Sequence, residues 1–292
     1  MKRRSLNTRL YLMYLIALAP LIIFGLYKNG IELYNRGVVD FIGLLQPFVI
    51  LLCGVFGALL GGVLREWKRD VKFGLEMLDK IKCDIVEAVL LTAILPISSN
   101  ALIVLGVTFA FSLFLSKLKL NRIALMYIVV EGINVLLGLN NFNNAYESST
   151  VLNYNGFDLF FGSGSGGIFS TNVLLITLGV IFLSFNKLYK KEMVYSSLFT
   201  FLILGSIPKM ISGQYTEIFP YIFGHNVLFI LVFIAPNLYS SSYTIKGQIT
   251  SGILIGIITF VLSFWTPYTA AILAVSITSI LKGVLDRIFV VK

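Results

Sequence analysis

Two carboxylic acids in apolar surroundings are the residues of this chain best suited to chemistry. Glu131 lies deep in the apolar run 123–139, and Glu87 lies in the run 84–97. An ionisable group inside a bilayer is costly, so its presence indicates a role in moving ions or protons. The alternative for Glu131 is a neutral acid facing the protein interior, or a misplaced span boundary. For Glu87, three residues after Asp84, the alternative is a side chain that reaches the membrane surface.

A glycine-rich segment without Lys or Arg is the second candidate site. Residues 140–170 are rich in Asn, Ser, Gly and aromatic residues, and they include the run Gly162-Ser-Gly-Ser-Gly-Gly167. An apolar helix is predicted to begin just afterwards, near Thr171. Exposed amides at a helix N-terminus bind anions, but this composition is equally typical of a flexible connector. The sequence leaves both interpretations open.

Other kinds of catalytic or metal site lack the residues they need. The chain has one histidine and two cysteines, Cys53 and Cys83, and their positions form no zinc-binding spacing and no disulfide framework. It also has no phosphate-binding loop, dinucleotide fingerprint or hydrolase triad. We therefore expect no metal site, and any redox chemistry would come from a bound cofactor.

Apolar spans are the elements that must position these residues. Hydrophobic residues make up 57% of the chain and charged residues 13%, and the mean hydropathy is +0.90. A soluble domain carries about 25% charged residues. We expect an all-α integral membrane protein in the lipid bilayer with about ten transmembrane helices, which the sequence places at residues 10–27, 41–64, 84–97, 99–116, 123–139, 171–186, 193–207, 223–240, 249–266 and 268–286.

The basic residues fall almost entirely on one side of these spans. Of the 23 Lys and Arg residues, only Lys28, Arg36 and Lys209 fall in loops opposite the N-terminus. The positive-inside rule then predicts a cell-membrane protein with both termini in the cytoplasm and residues 140–170 outside. The net charge of +9 matches an anionic inner leaflet, so we expect no nucleic-acid partner.

Two interrupted spans suggest an internal repeat. Pro96 and Pro236 each end an apolar run and are followed by small polar residues, so both runs are candidate broken helices. They are the third spans of two five-span halves, as in transporters with repeats and a site near the midplane. We expect one membrane domain over 1–292, with repeat 1 at about 10–139, the outer loop at 140–170 and repeat 2 at about 171–286.

Four stretches carry a resemblance to a known family. They are Asp84–Ser98 around Pro96, Gly162–Thr171 with Gly166, Ala235–Leu262 with Thr244, Gly247 and Gln248, and the ending with Asp286 and Arg287. On these the chain resembles, as a divergent member, the NqrB/RnfD family, whose proteins are membrane subunits of the sodium-translocating NADH:quinone reductase and of the Rnf electron-transport complex. The family fold has ten helices in two repeats.

The resemblance implies a flavoprotein subunit of an ion-translocating oxidoreductase. Electrons would pass through an outer-face flavin, together with other membrane subunits of an electron-transport complex. The family's FMN is joined through its phosphate to a threonine, which corresponds to Thr150 beside Ser149, although Glu147-Ser148-Ser149 replaces the usual S-G-A. A second, non-covalent flavin is also implied. The further residues that the resemblance assigns to the cofactors are Gly162, Gly166, Thr171, Pro96 and Thr244.

Two alternatives share the repeat fold but have no redox role. One is a membrane channel or solute transporter, and the other is a structural subunit that has lost its flavin. The catalytic residues are not identified by sequence, and Glu131 and Glu87 are the candidates for the ion path.

Overall fold

Helices make up all the regular structure in the described part of this chain. The computed structural model describes residues 2–68, 74–116, 118–139, 156–162, 164, 166–215, 218–237 and 240–289. The α-helices are α1 (Lys2–Leu26), α2 (Leu33–Asn35), α3 (Phe41–Trp67), α4 (Leu75–Ile94), α5 (Ala101–Phe114), α6 (Arg122–Leu136), α7 (Gly156–Phe160), α8 (Val173–Ser184), α9 (Lys191–Ile211), α10 (Ile218–Phe223), α11 (Val227–Phe229), α12 (Ile245–Leu262) and α13 (Ala270–Phe289). Two π-helical segments, Tyr27–Glu32 and Ile230–Ile234, continue α1 and α11.

Among the described residues, four helical stretches are long and apolar enough to cross a membrane. They are Arg9–Asn35, Phe41–Trp67, Lys191–Ile211 and Ile245–Leu262. A bilayer core needs about 20 helical residues, so α5 and α8 are shorter than a straight crossing. The first span is longer than the predicted 10–27, because the π-helical segment carries the helix on to Asn35.

The distribution of side chains is that of a membrane protein. Large apolar side chains face outwards along the helices, including Leu102, Phe199 and Ile280, which are 75%, 66% and 67% exposed. Polar side chains such as Glu131 and Asn134 are buried instead. A protein in water would not expose so much apolar surface, whereas lipid tails accept it.

Both helices that precede the two prolines end early, as the sequence predicts. α4 ends at Ile94 and the second π-helical segment ends at Ile234, each two residues before a proline. Proline disfavours a helical conformation in the residue before it. The predicted span 223–240 is not one helix, however, because the chain turns between α10 and α11, where the φ angle of His225 is +59°.

Glycines bring two pairs of helices into close contact. A Cβ atom on Gly57 would collide with the carbonyl oxygen of Leu105 in α5. A Cβ atom on Gly252 would lie 2.5 Å from the carbonyl oxygen of Met193 in α9. Gly61 and Gly256 make the next contacts, one turn further along each helix. The order of the contacts shows that α3 runs parallel to α5 and that α12 runs parallel to α9. These glycines therefore serve packing, as their spacing predicts.

A cluster of buried charges marks one end of the bundle, which we call the basic end. Arg65 at the end of α3 binds Asp84 on α4, and Arg122 at the start of α6 binds the same carboxylate, both at 2.9 Å. Lys80 also lies here, 3.5 Å from the carboxylate of Glu66. The opposite end, where α4 stops and α5 begins, is called the far end.

Candidate functional site

The broken end of α4 is covered by residues 166–170, which follow the glycine run. The amide of Ile168 donates to the carbonyl oxygen of Leu95, and the amide of Phe169 donates to that of Ala93, both at 3.0 Å. Pro96 has no amide N–H and disfavours the helix, so carbonyl groups at this end lose their helical partners. The segment after the glycines replaces these partners.

Asn226 joins the same two parts of the chain. Its amide nitrogen donates to the carbonyl oxygen of Ile94 at 3.0 Å, and its Oδ1 accepts from the amide of Gly167 and the hydroxyl of Ser170, both at 2.5 Å. The side chain is 1% exposed. One buried amide therefore holds the end of α4, the segment 166–170 and the start of α11 together.

Asn121 plays the matching part for the second broken helix. Its amide nitrogen donates to the carbonyl oxygen of Ile234 at 3.1 Å and to the hydroxyl of Ser240 at 2.8 Å. Its Oδ1 accepts from the amide of Ala124, which caps α6. Ile94 and Ile234 each lie two residues before a proline, so each break has its last carbonyl bound by an asparagine from elsewhere in the chain.

Three of the predicted cofactor residues meet at the far end. A Cβ atom on Gly166 would lie 2.9 Å from the methyl group of Thr171. Gly162 has a φ angle of +100°, which requires glycine. Lys28, in the first π-helical segment, donates from Nζ to the carbonyl oxygen of Gly164 at 2.6 Å and to Thr171 Oγ1 at 3.2 Å. Pro96 lies beside this segment because residues 168 and 169 bind the carbonyls before it.

The remaining cofactor predictions are not brought to this place. Thr244 caps the start of α12, where its Oγ1 accepts from the amide of Gly247 at 3.2 Å. Ser240, four residues before it, accepts from Asn121, the neighbour of Arg122, so Thr244 lies at the basic end. Ser242 donates to Asp286, which places the end of α13 there as well. Thr150 and Ser149 lie outside the described residues.

Three amides in and directly after the glycine run are used within the protein. The amide of Gly162 donates to Leu159, that of Gly167 to Asn226, and that of Ile168 to Leu95. These groups do not fit the anion-binding role that the composition suggested. Lys28 fits the anion-binding role better. Its ammonium group has three N–H donors, and two acceptors for them are identified in the protein, the carbonyl oxygen of Gly164 and Thr171 Oγ1.

Glu131, on α6 near the far end, is the centre of a second buried polar site. It is 1% exposed, and the hydroxyl of Ser99 donates to its Oε1 at 3.3 Å. The side chain of Asn134, one turn along α6, lies beside the same carboxyl group. Ser99 also lines a cavity of about 570 Å³ at the far end, between the starts of α3 and α5.

Glu87 is part of the ion-pair cluster at the basic end. It is 4% exposed, and its Oε2 lies 2.5 Å from a guanidinium nitrogen of Arg122. Cys83 donates to its other oxygen at 3.4 Å. The carboxylate therefore does not reach for the membrane surface, which was the alternative interpretation from sequence, but is held inside by an arginine.

Sequence signals for the roles of Asn226, Asn121 and Lys28 are weak. Both asparagines lie at the start of apolar runs, Asn121 with Arg122 between, which is a helix-capping position. Nothing in that position indicates a bond across the fold. Lys28 is one of only three basic residues in the predicted outer loops. In the described part of the chain, no group of three or more His, Cys, Asp or Glu residues is placed to hold a metal ion.

Comparison with known proteins identifies one family. The NQR2, RnfD, RnfE family matches residues 126–292, which is more than half of the chain. No curated protein matches the sequence.

Proposed function

The chain belongs to the NQR2, RnfD, RnfE family, and from this premise we propose that it is the flavin-carrying membrane subunit of an Rnf/Nqr-type ion-translocating oxidoreductase. It would pass electrons through a flavin on the outer face, together with other membrane subunits. The family match over more than half of the chain is the observation that carries this proposal. The apolar surface and the membrane-length helices support the location in a cell membrane.

The fold we propose for this function has about ten transmembrane helices in two five-helix repeats. Three paired features support it: a proline two residues after each helix break, an asparagine bound to the last carbonyl before each break, and a parallel pair of helices closed by glycines in each half. With the basic end in the cytoplasm, both termini are cytoplasmic and the far end is outside.

The flavin we propose is FMN, attached through its phosphate to Thr150 beside Ser149. When bound, FMN supplies one- and two-electron transfer. Support comes from the far end, where Lys28 binds Thr171 and Gly166 lies against the same threonine. The ammonium group of Lys28 suits a phosphate. Thr244 lies at the opposite end, so it belongs to a different site, which a second, non-covalent flavin would occupy.

The ion path we propose passes Glu131. Its burial in an apolar helix is the support, since a buried acid is costly to keep without a role. Glu87 is engaged by Arg122, and it joins such a path only when that ion pair opens.

In-gel flavin fluorescence after denaturation tests the proposed attachment. The full chain is expressed together with a flavin transferase, and the Thr150→Val variant is compared with Ser148→Ala as the matched control. We expect a fluorescent band for the unsubstituted chain and for the control, and no fluorescence for Thr150→Val. A dark band from the unsubstituted chain would show that the fold is shared without this flavin, as in the channel and structural alternatives.

A further inference from the structure

We propose that Glu131, Ser99 and Asn134 form a proton-binding site that opens to the far end of the bundle through the 570 Å³ cavity. The inference rests on the proposed function and deepens it, because it names the transported species, the side of access and the residues that serve the site. All three follow from the surroundings of the Glu131 carboxyl group.

Glu131 is buried with no cation beside it in the described part of the chain. It is 1% exposed, the hydroxyl of Ser99 donates to it, and the uncharged side chain of Asn134 lies beside it. Ion pairs place the charged groups of α4 elsewhere, since Asp84 and Glu87 bind Arg122 at the basic end. Those of α13 are also remote: Asp286 binds Ser242 there, and Lys282 lies over Tyr243. A buried carboxylate with no cation beside it is unstable, whereas the neutral acid is tolerated.

Asn134 brings an uncommitted amide to the site. Its side chain is fully buried, and neither Oδ1 nor Nδ2 makes a hydrogen bond to the described residues. Buried polar groups nearly always have partners. The amide lies beside Glu131, where it can donate to the carboxylate and accept from the protonated acid. The pair is therefore equipped to stabilise both protonation states.

The cavity offers a route from the far end towards Glu131. Four polar residues line it, Gln46, Ser98, Ser99 and Asn100, together with apolar residues that come mostly from the start of α3. Three of the four lie in the short polar turn between Pro96, where α4 has ended, and the start of α5. Ser99 lines the cavity, and its hydroxyl donates to Glu131. A hydroxyl group both donates and accepts, so it can pass a proton between water in the cavity and the carboxylate.

The groups around Glu131 suit a proton better than a metal cation. Sodium would need several oxygen ligands around one point, in the manner of hard cations. The side chains identified at Glu131 offer one carboxyl group, one hydroxyl and one amide oxygen. A proton needs only the carboxylate. Binding moves one proton from water to Glu131, and release returns it.

Modification by dicyclohexylcarbodiimide, which is lipophilic and attacks protonated carboxyl groups in apolar surroundings, tests the site. Native membranes that contain the full chain are treated, and the peptide with residue 131 is quantified by mass spectrometry. We expect modification of Glu131, absent in Glu131→Gln, that slows as the pH rises and is unchanged when sodium chloride replaces choline chloride. No modification in folded protein, or protection by sodium, would overturn the proposal.

A pair of matched variants tests the route. Val49 lines the cavity and Leu52 lies on the same helix away from it; they are 41% and 50% exposed. We expect the exchange of the Glu131 acid proton in D₂O, followed by its infrared carbonyl band, to slow at least about fivefold in Val49→Trp and not in Leu52→Trp. Ile42→Trp, also at the cavity and 74% exposed, serves if the first variant does not fold. Equal exchange in the cavity and control variants would refute the route.

These measurements are independent of electron transfer. A chain without bound flavin can still pass them, and a flavin-bearing chain can fail them, so failure here is distinguishable from failure of the proposed function.

Discussion

Replacing Asn226 by alanine should destabilise the fold far more than an ordinary polar substitution. The amide donates to the carbonyl of Ile94 and accepts from Gly167 and Ser170, and it is 1% exposed. Alanine leaves the backbone groups of Ile94 and Gly167 without these partners. An unsatisfied buried group costs about 1–3 kcal/mol, so we expect a loss of about 2–6 kcal/mol in the free energy of unfolding.

Thermal unfolding of the detergent-purified protein, followed by the loss of the monodisperse peak in size-exclusion chromatography, measures this effect. A loss of that size lowers Tm by about 5–15 °C for a chain of this length. Asn35→Ala is the matched control, because Asn35 is exposed at the end of α2, and it should change stability by no more than about 0.5 kcal/mol. Asn121→Ala should behave like Asn226→Ala. Equal Tm values for Asn226→Ala and the control would refute the assignment of Asn226 as the link at the break.

Three further substitutions test the packing, the charge cluster and the orientation. Gly57→Leu should abolish accumulation in membranes, since even a Cβ atom would meet the backbone of α5. Gly106→Ala has open space and should accumulate normally. Immunoblotting compares the two variants, and normal accumulation of Gly57→Leu would contradict the helix contact. Arg122→Ala removes the arginine partner of two buried carboxylates, Asp84 and Glu87. It should lower the free energy of unfolding by about 3–5 kcal/mol, which the Tm assay above measures. An unchanged Tm would contradict the role of this ion-pair cluster in stability. Ser98→Cys should react with an impermeant thiol reagent in intact cells and Lys68→Cys only after lysis, on a background without the native cysteines; the reverse pattern would overturn the proposed orientation.

The helix breaks were predictable because their cause is local. Pro96 and Pro236 lack an amide N–H and constrain the residue before them, so the sequence alone indicates where the helices end. The close helix contacts at Gly57 and Gly252 follow in the same way from the spacing of small residues.

The partners of the broken ends could not be predicted, because they are distant in the chain. Asn226 reaches a carbonyl 132 positions away and Asn121 reaches one 113 positions away. In sequence both are simply polar residues before apolar runs. The ion pair of Glu87 could not be predicted for the same reason, since its arginine partner comes from the start of α6. Glu131 shows the opposite case: its burial was predictable from the apolar run around it, but the cavity beside Ser99 was not.

The visible absorption spectrum of the purified full-length protein, with whatever subunits accompany it, tests the central claim most directly. The account predicts the absorption bands of an oxidised flavin, which bleach when dithionite is added and return in air. A preparation that is folded and monodisperse but shows no flavin absorption, even when a flavin transferase is co-expressed, would contradict the claim that this chain carries electrons.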